Sequence, residues 1–159
     1  MVRIFLDSSV LIAGSASTQG ASYAVILLAE IGLIKAVISN QVVEECERNL
    51  EKKLPQSLGV FRSIVSTINP EILSDPELSE VSSLMDIIEP KDVPILGAAL
   101  QGEVSCLLTL NTKDFTPNVA DRVGLKIQTP GQFIQEVRGL LVNNFSSSVL
   151  NPVDRCEDR

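Results

Sequence analysis

The chain has 159 residues, of which 45% are hydrophobic, and it carries a net charge of −7. This length supports one substantial hydrophobic core, so we expect a single domain. The sequence contains no run of about 20 apolar residues of the kind that crosses a membrane, and residues 1–3 lead directly into a predicted strand. We therefore expect a cytoplasmic protein without a membrane segment.

The absence of histidine excludes the usual Ser-His-Asp and Cys-His catalytic arrangements and leaves oxygen chemistry. The three cysteines lie far apart, form no CxxC pair and do not indicate a zinc site. We predict that Cys46 and Cys106 are buried reduced thiols and that Cys156 is exposed in a tail. The negative charge argues against general attraction to nucleic acid, although clustered carboxylates can hold cations that supply positive charge.

The first half of the chain alternates predicted strands with predicted helices. A strand over 2–6 is followed by a helix that begins near Ser8 or Ser9, and the segment ASYAVILLAEIG at 21–32 predicts a mostly buried helix capped by Gly32. The apolar spacing then predicts a strand over 34–39, helices over 41–54 and 58–65, a connector over 69–80 and a short helix over 78–85.

The second half repeats this alternation. Its predicted elements are an extended piece over 86–89, a helix from Asp92, a strand over 106–110, a loop with about one helical turn over 111–124, a strand over 125–128 and a helix from Pro130 to about Leu141. Residues 143–159 lose periodicity and are expected to form a flexible tail beyond a domain of residues 1–142. The alternation predicts an α/β fold, a single domain with a central, mainly parallel sheet and helices on both faces.

Acidic side chains recur where predicted strands pass into helices. Asp7 follows the first strand, Asp92 opens a helix and Asp114 follows the strand over 106–110, while Glu44 and Glu45 lie near a helix start. Parallel strands bring such junctions to one edge of a sheet. Each acid also has a simpler interpretation, because Asp caps helices, Glu is favourable near a helix N-terminus and loops commonly carry acids.

Four blocks of the sequence resemble the PIN-domain family, which includes metal-dependent ribonucleases and many toxins of toxin-antitoxin pairs. The blocks are FLDSSVLI at 5–12, ISNQVVEECERNL at 38–50, PKDVPILGAAL at 90–100 and LLTLNTKDF at 107–115. They occur in the family's order, and the resemblance extends from residue 2 to about residue 138.

The resemblance implies a site for Mg2+ or Mn2+ whose catalytic and metal-binding residues are Asp7, Glu45, Asp92 and Asp114. Helical spacing does not distinguish Glu44 from Glu45, but alignment of the block from Ser39 favours Glu45. Asn111 is a departure, because many PIN sequences have an aspartate near that position. Ser9 and Thr109 are candidates either for hydroxyl ligands and supporting groups or for ordinary capping and strand-end hydrogen bonds.

The function implied by this resemblance is hydrolysis of RNA by a metal-dependent endoribonuclease, which an antitoxin protein would neutralise if the enzyme is a toxin. The alternative is a non-catalytic PIN-like module that binds RNA or protein. A haloacid dehalogenase-type phosphotransferase is disfavoured because Ser9 stands where its second acid is needed, and the DSS segment fits a phosphorelay receiver poorly. The apolar segment 21–34 and the resemblance also predict a homodimer. Candidate phosphate contacts are Arg3, Arg48, Lys91 and Lys113.

Overall fold

The computed structural model describes residues 1–149. A sheet of five parallel strands in the order β3-β2-β1-β4-β5 forms its centre. The strands are β1 Val2–Leu6, β2 Ile34–Ser39, β3 Glu71–Leu73, β4 Cys106–Leu108 and β5 Ile127–Gln128. The helices are α1 Ser8–Ala16, α2 Ala21–Glu30, α3 Asn40–Lys53, α4 Leu58–Ile68, α5 Leu78–Val81, α6 Val93–Gln101, α7 Pro117–Val123 and α8 Pro130–Val149, with 3-10 helices at Pro55–Ser57 and Ser82–Asp86.

The carboxyl-terminal half of the middle strand, β1, lies in the core. Ile4, Phe5 and Leu6 are fully buried, and Phe5 pairs in register with Val37 of β2 on one side and Leu107 of β4 on the other. Such apolar runs are typical of strands covered on both faces by helices. The predicted α/β fold, a single domain with a parallel sheet flanked by helices, is confirmed.

The strand order places a topological switch point beside β1. The chain runs outward from β1 through β2 to β3, and then returns to add β4 and β5 on the other side of β1. In open α/β sheets, ligands bind in the crevice beyond the carboxyl ends of the strands at such a point. Asp7 immediately follows β1 and therefore lies at this crevice.

The connector predicted over 69–80 contains β3, which the sequence analysis missed. This edge strand has only three residues, and a proline and several acids surround it. Its pairing with β2 gives it an extended conformation, and the Arg3 guanidinium of β1 holds Glu71 through an ion pair at 2.9 Å. Both stabilising contacts are distant in sequence, so local pattern could not reveal them.

Two further boundaries differ from the prediction. The extended piece expected over 86–89 is wrong, because Ser82–Asp86 forms a 3-10 helix and a turn and a bend follow at residues 87 and 88. The strand predicted over 106–110 ends at Leu108, and the following Leu110 is 47% exposed. Leu110 lies beyond the part of the sheet that helices cover, so its apolar character does not indicate a strand.

The closing helix, α8, continues to Val149 rather than ending near Leu141. Residues 143–149 are therefore helical, which corrects the predicted end of this helix. No proline or glycine interrupts the chain there, and the Ser147 hydroxyl donates to the Asn143 carbonyl at 2.9 Å. Residues 150–159, including Cys156, lie outside the described residues, and the division at residue 142 stays a prediction.

Cys46 and Cys106 are buried free thiols, in agreement with the prediction for these two residues. Within residues 1–149 no single helix is long and apolar enough to span a membrane; only α1 and α2 together meet that test, with a bend of 97° between them. The cytoplasmic location stays a prediction.

Candidate functional site

Asp7 is the buried centre of the candidate site. It is 6% exposed, and its carboxylate accepts hydrogen bonds from the Ser8 backbone N–H at 2.8 Å, the Ser9 hydroxyl at 3.0 Å and the Thr109 hydroxyl at 2.7 Å. Asp7 is the N-cap of α1, so the capping interpretation holds at this position. The bond from the Ser8 N–H is the capping bond. The two bonds from the Ser9 and Thr109 hydroxyl groups are additional, and the second joins the carboxylate to the residue that follows β4.

Burial raises the pKa of the Asp7 carboxyl above its ordinary value. The hydrogen bonds from Thr109, Ser9 and Ser8 oppose this effect, and the nearby charge of Glu45 adds to it. A buried carboxylate of raised pKa beside a second acid is a typical feature of functional sites, because burial and a neighbouring like charge both disfavour its ionised form.

Glu45, and not Glu44, is directed toward Asp7. Glu45 accepts a hydrogen bond from the Ser8 hydroxyl at 2.8 Å and another from the Gln41 amide at 3.0 Å. It is half-buried on the side of α3 that packs toward α1, whereas Glu44 is exposed. Tertiary packing thus places Glu45 nearer to Asp7 than spacing could show, and its assignment as a ligand stays a prediction.

Asp92 and Asp114 form a second acidic pair, joined by Lys91. The Lys91 ammonium lies 2.7 Å from Asp114 Oδ2 and 3.4 Å from Asp92 Oδ2, and the Asn111 amide also donates to Asp114 at 3.1 Å. Lys91 and then Asn111 lower the pKa of Asp114 to about 2. Burial, followed by a hydrogen bond shared with Asp114, raises the pKa of Asp92 to about 6.

The Asp92 side chain does not act as a helix cap. Asp92 occupies the N-cap position of α6, but its carboxylate makes no capping hydrogen bond. Its Oδ2 atom is buried and accepts no hydrogen bond from any described residue. The ammonium of Lys91 at 3.4 Å is therefore the charge that compensates this atom.

The fit of a divalent cation to these residues is partial. Carboxylate and hydroxyl oxygens are ligands that Mg2+ and Mn2+ favour, and the Asp92 oxygen without a hydrogen bond is suited to a cation. However, within residues 1–149 no three acidic side chains are assembled into a group that could hold a metal ion. The acids form two pairs, and Lys91 already occupies the second pair.

Three side chains that contact the acids were not assigned this role from the sequence. The Ser8 hydroxyl joins the two acids of the first pair, Gln41 supports Glu45 from one helical turn away, and Lys91 links the acids of the second pair. Spacing of i and i+4 on α3 could have indicated Gln41. The Lys91 contact with Asp114 spans 23 residues and depends on the fold.

The structure corrects one of the candidate phosphate contacts. Arg3 lies near the amino end of β1, at the opposite end of the strand from Asp7, where its guanidinium binds Glu71 and the Gly102 carbonyl. It therefore supports the edge strand and lies away from the crevice. Lys113 and Arg48 are exposed.

A cavity of about 620 Å³ lies along β5, and it is lined by the loop after β4, α7 and the start of α8. Thr109 belongs to both the acidic site and the cavity, because its hydroxyl donates to Asp7 and it also lines this cavity. Most of the lining is neutral, with polar side chains that include Thr112, Gln128 and Gln132, and its two charged residues, Asp121 and Lys126, are opposite in sign. This volume lies within the range of small-ligand sites, about 300–1,000 Å³.

Comparisons with known proteins agree with this architecture. A family model described as PIN domain matches residues 3–113, a range that includes Asp7, Glu45 and Asp92 and ends one residue before Asp114. A comparison with curated proteins finds no match.

Two solved structures are similar in fold. VapBC2 from Rickettsia felis, bound to a DNA fragment from its promoter, has a TM-score of 0.59 at 20% identity, covering 80% of this chain and 98% of that chain. PAE2754 from Pyrobaculum aerophilum has a TM-score of 0.59 at 17% identity, covering 84% of this chain and 88% of that chain. With the family match over well over half of its length, the chain belongs to the PIN domain family.

Proposed function

We propose that this protein is a Mg2+- or Mn2+-dependent endoribonuclease whose site comprises Asp7, Glu45, Asp92 and Asp114. The observation that carries the proposal is the buried Asp7 carboxylate, which three hydrogen bonds orient at the switch point of the sheet, beside Glu45. Proteins of the PIN domain family are generally divalent-metal-dependent nucleases. The all-oxygen donor set supports the same class of cofactor.

Each residue has a distinct task in this proposal. Asp7 and Glu45 would hold the cation at the end of β1, Asp92 would add its buried oxygen, and Asp114 would bind directly or through water. A bound divalent ion supplies an acidified water and stabilises charge on a phosphodiester. The hydroxyl groups of Ser9 and Thr109 donate to Asp7 Oδ2, and the Ser8 backbone N–H donates to Oδ1, which fixes the direction of the carboxylate before a substrate arrives.

The cavity beside Thr109 supports an RNA substrate. A nucleic acid is repelled by a protein with a net charge of −7, so contact is favoured where the surface is neutral. The side chains of Thr112 and Gln132 offer hydroxyl and amide groups there, and single-stranded RNA presents unpaired base edges to such groups.

The test is cleavage of a panel of labelled structured RNAs with Mn2+ or Mg2+, with EDTA as the metal control. Wild type is expected to cleave, and Asp7→Asn is expected to be inactive while its thermal unfolding shows that it is folded. Glu45→Gln and Glu44→Gln form a matched pair, because the residues are adjacent but only Glu45 contacts the site. Equal activity in this pair would contradict the assignment of Glu45.

We also propose that the enzyme is the toxin of a toxin-antitoxin pair. The resemblance to PIN toxins and the similarity in fold to VapBC2 support an antitoxin partner. A gene for a small DNA-binding protein directly upstream is the expected genomic context. Co-expression of that protein should suppress RNA cleavage in a purified complex, and cleavage that continues unchanged in the complex would contradict this part of the proposal.

We propose a homodimer because apolar side chains are exposed on the segment 21–34 and on α8. These side chains, which are 39–68% exposed, are Leu27, Ile31, Leu33 and Leu140. Leu33 and Leu140 line one groove of about 290 Å³. Light scattering of the wild type should give a dimer mass, and Leu33→Glu should give a monomer. Leu78→Glu is the control, since Leu78 is 61% exposed but lies on α5. A monomeric wild type would contradict the dimer.

One observation favours the non-catalytic alternative, a PIN-like module that binds RNA or protein. Within residues 1–149 the acids are paired rather than gathered into a metal-binding group, and Asn111 stands where many family members have an acid. A wild-type protein that binds RNA, binds no Mn2+ in calorimetry and cleaves nothing would establish this alternative.

A further inference from the structure

The side chain of Lys91 is placed as a cation within the second acidic pair. Its ammonium lies 2.7 Å from Asp114 Oδ2 and 3.4 Å from Asp92 Oδ2. Asp114 lies in the loop after β4, and Asp92 directly precedes α6. These carboxyl side chains are only 13% and 12% exposed, whereas that of Lys91 is 68% exposed. The acids are therefore fixed by packing, and the lysine reaches them from solvent.

The contacts of Asp92 show what the ammonium does there. Asp92 Oδ2 is the only buried side-chain oxygen or nitrogen among residues 1–147 that has no hydrogen-bond partner. A buried carboxylate oxygen is costly without a compensating charge or donor. The Lys91 ammonium approaches this atom at ion-pair distance and reaches Asp114 at hydrogen-bond distance, so one side chain compensates both acids.

The first acidic pair has no equivalent lysine or arginine. Among the described contacts of Asp7 and Glu45, every donor is neutral: a backbone N–H, hydroxyl groups and one amide. No ion pair within residues 1–149 includes either of these acids. Within residues 1–149 no three acids are assembled into one group. The two pairs that form instead differ, because the Lys91 ammonium is already present at the second pair.

We propose that Lys91 competes with the divalent cation for Asp92 and Asp114, and that its ammonium must leave these carboxylates when they become metal ligands. This inference rests on the metal site of the proposed function. Lys91 is exposed along most of its length, and its four-carbon side chain is flexible, so it can move into solvent without disturbing α6. The ion pair therefore stabilises the metal-free acids and lowers the affinity for the metal.

The first experiment measures Mn2+ affinity by calorimetry for wild type, Lys91→Met and Lys113→Met. Lys91→Met removes the competing charge and should bind Mn2+ about fivefold to tenfold more tightly. Lys113→Met is the matched control: it removes an exposed positive charge two residues from Asn111 that forms no ion pair among the described residues, and so measures the general electrostatic effect. Equal gains in the two variants would overturn the proposal.

A second measurement follows the amine itself. Acetylation of Lys91 by a soluble reagent, quantified by mass spectrometry, should increase when Mn2+ is added to the wild type, because the ammonium leaves its carboxylates. Lys113 should be acetylated equally with and without the metal. Unchanged or decreased labelling of Lys91 at saturating Mn2+ would overturn the proposal.

The outcomes separate this inference from the proposed function. If wild type binds Mn2+ and cleaves RNA while Lys91→Met has the affinity of Lys113→Met, only the competitor role of Lys91 fails. If neither wild type nor Lys91→Met binds Mn2+, the metal site of the proposed function fails, and the role of Lys91 fails with it. Lys91→Arg retains the charge and is expected to stay within about twofold of wild type in Mn2+ affinity.

Discussion

The two acidic pairs of the site are held by different physical means. Asp7 and Glu45 are held by neutral donors, and burial raises the pKa of Asp7. The charges of Asp92 and Asp114 are compensated by the Lys91 ammonium, which, together with Asn111, lowers the pKa of Asp114 to about 2. Neutral donors fix the direction of a carboxylate but leave its charge uncompensated, whereas a lysine compensates the charge and can be exchanged for another cation.

The largest difference between the pairs should be seen in catalysis. Asp7→Asn should reduce RNA cleavage more than about 100-fold, since loss of even a supporting group costs metal sites 10–100-fold. Asp114→Asn should cost about 10-fold, because Asp114 lies at the rim of the site and already shares its charge with Lys91. Single-turnover rates at saturating Mn2+ measure both. A larger loss for Asp114→Asn than for Asp7→Asn would reverse the proposed ranking of the pairs.

Removal of one neutral donor tests how the first pair is held. Thr109→Val retains the shape of the side chain but deletes the 2.7 Å hydrogen bond to Asp7 and the acceptor for the Asn111 N–H. We expect Mn2+ affinity to fall about 10-fold and the free energy of unfolding to fall by about 1 kcal/mol. Thr109→Ser keeps the hydroxyl and serves as the control in calorimetry. Equal affinity of the Val and Ser variants would show that the hydroxyl does not orient Asp7.

The pH dependence of stability tests the second pair in the absence of metal. The folded-state pKa of Asp92 is raised to about 6 from 3.8, so ionised Asp92 destabilises the folded state at neutral pH. This cost is fully present above about pH 6 and decreases as the pH falls to about 4, and it is absent well below pH 4, where the group is protonated in both states. Asp92→Asn should therefore stabilise the metal-free protein at pH 7 by about 1 kcal/mol or more.

Urea unfolding in EDTA at pH 7 and at pH 4 measures this effect. The stabilisation by Asp92→Asn should shrink at pH 4. Glu44→Gln is the control, since Glu44 is an exposed acid without a described contact. A stabilisation of Asp92→Asn that is equal at both pH values would contradict the assigned cause.

Most of the fold was predictable because its apolar runs and helix boundaries are local features. Asp7, Glu45 and Asp92 could likewise be located at the junctions of strands and helices. Sequence could not predict β3, which forms because β2 offers an edge, or the separation of the acids into two pairs. The second pair depends on the contact of Lys91 with Asp114 across 23 residues, which no periodicity encodes.

The smallest expected effect concerns the end of β1 that lies away from the site. Arg3 forms an ion pair with Glu71 at 2.9 Å, and both side chains are about one-third or more exposed, so the pair is screened by solvent. Arg3→Met should lower the free energy of unfolding by at most about 1 kcal/mol. This loss should become smaller as salt is added, because salt screens the ion pair of the wild type. RNA cleavage should be unchanged, because the guanidinium lies at the amino end of the strand whose carboxyl end carries Asp7. A loss of RNA affinity in Arg3→Met would instead mean that nucleic acid extends around the edge of the sheet, and the site would then include both ends of β1.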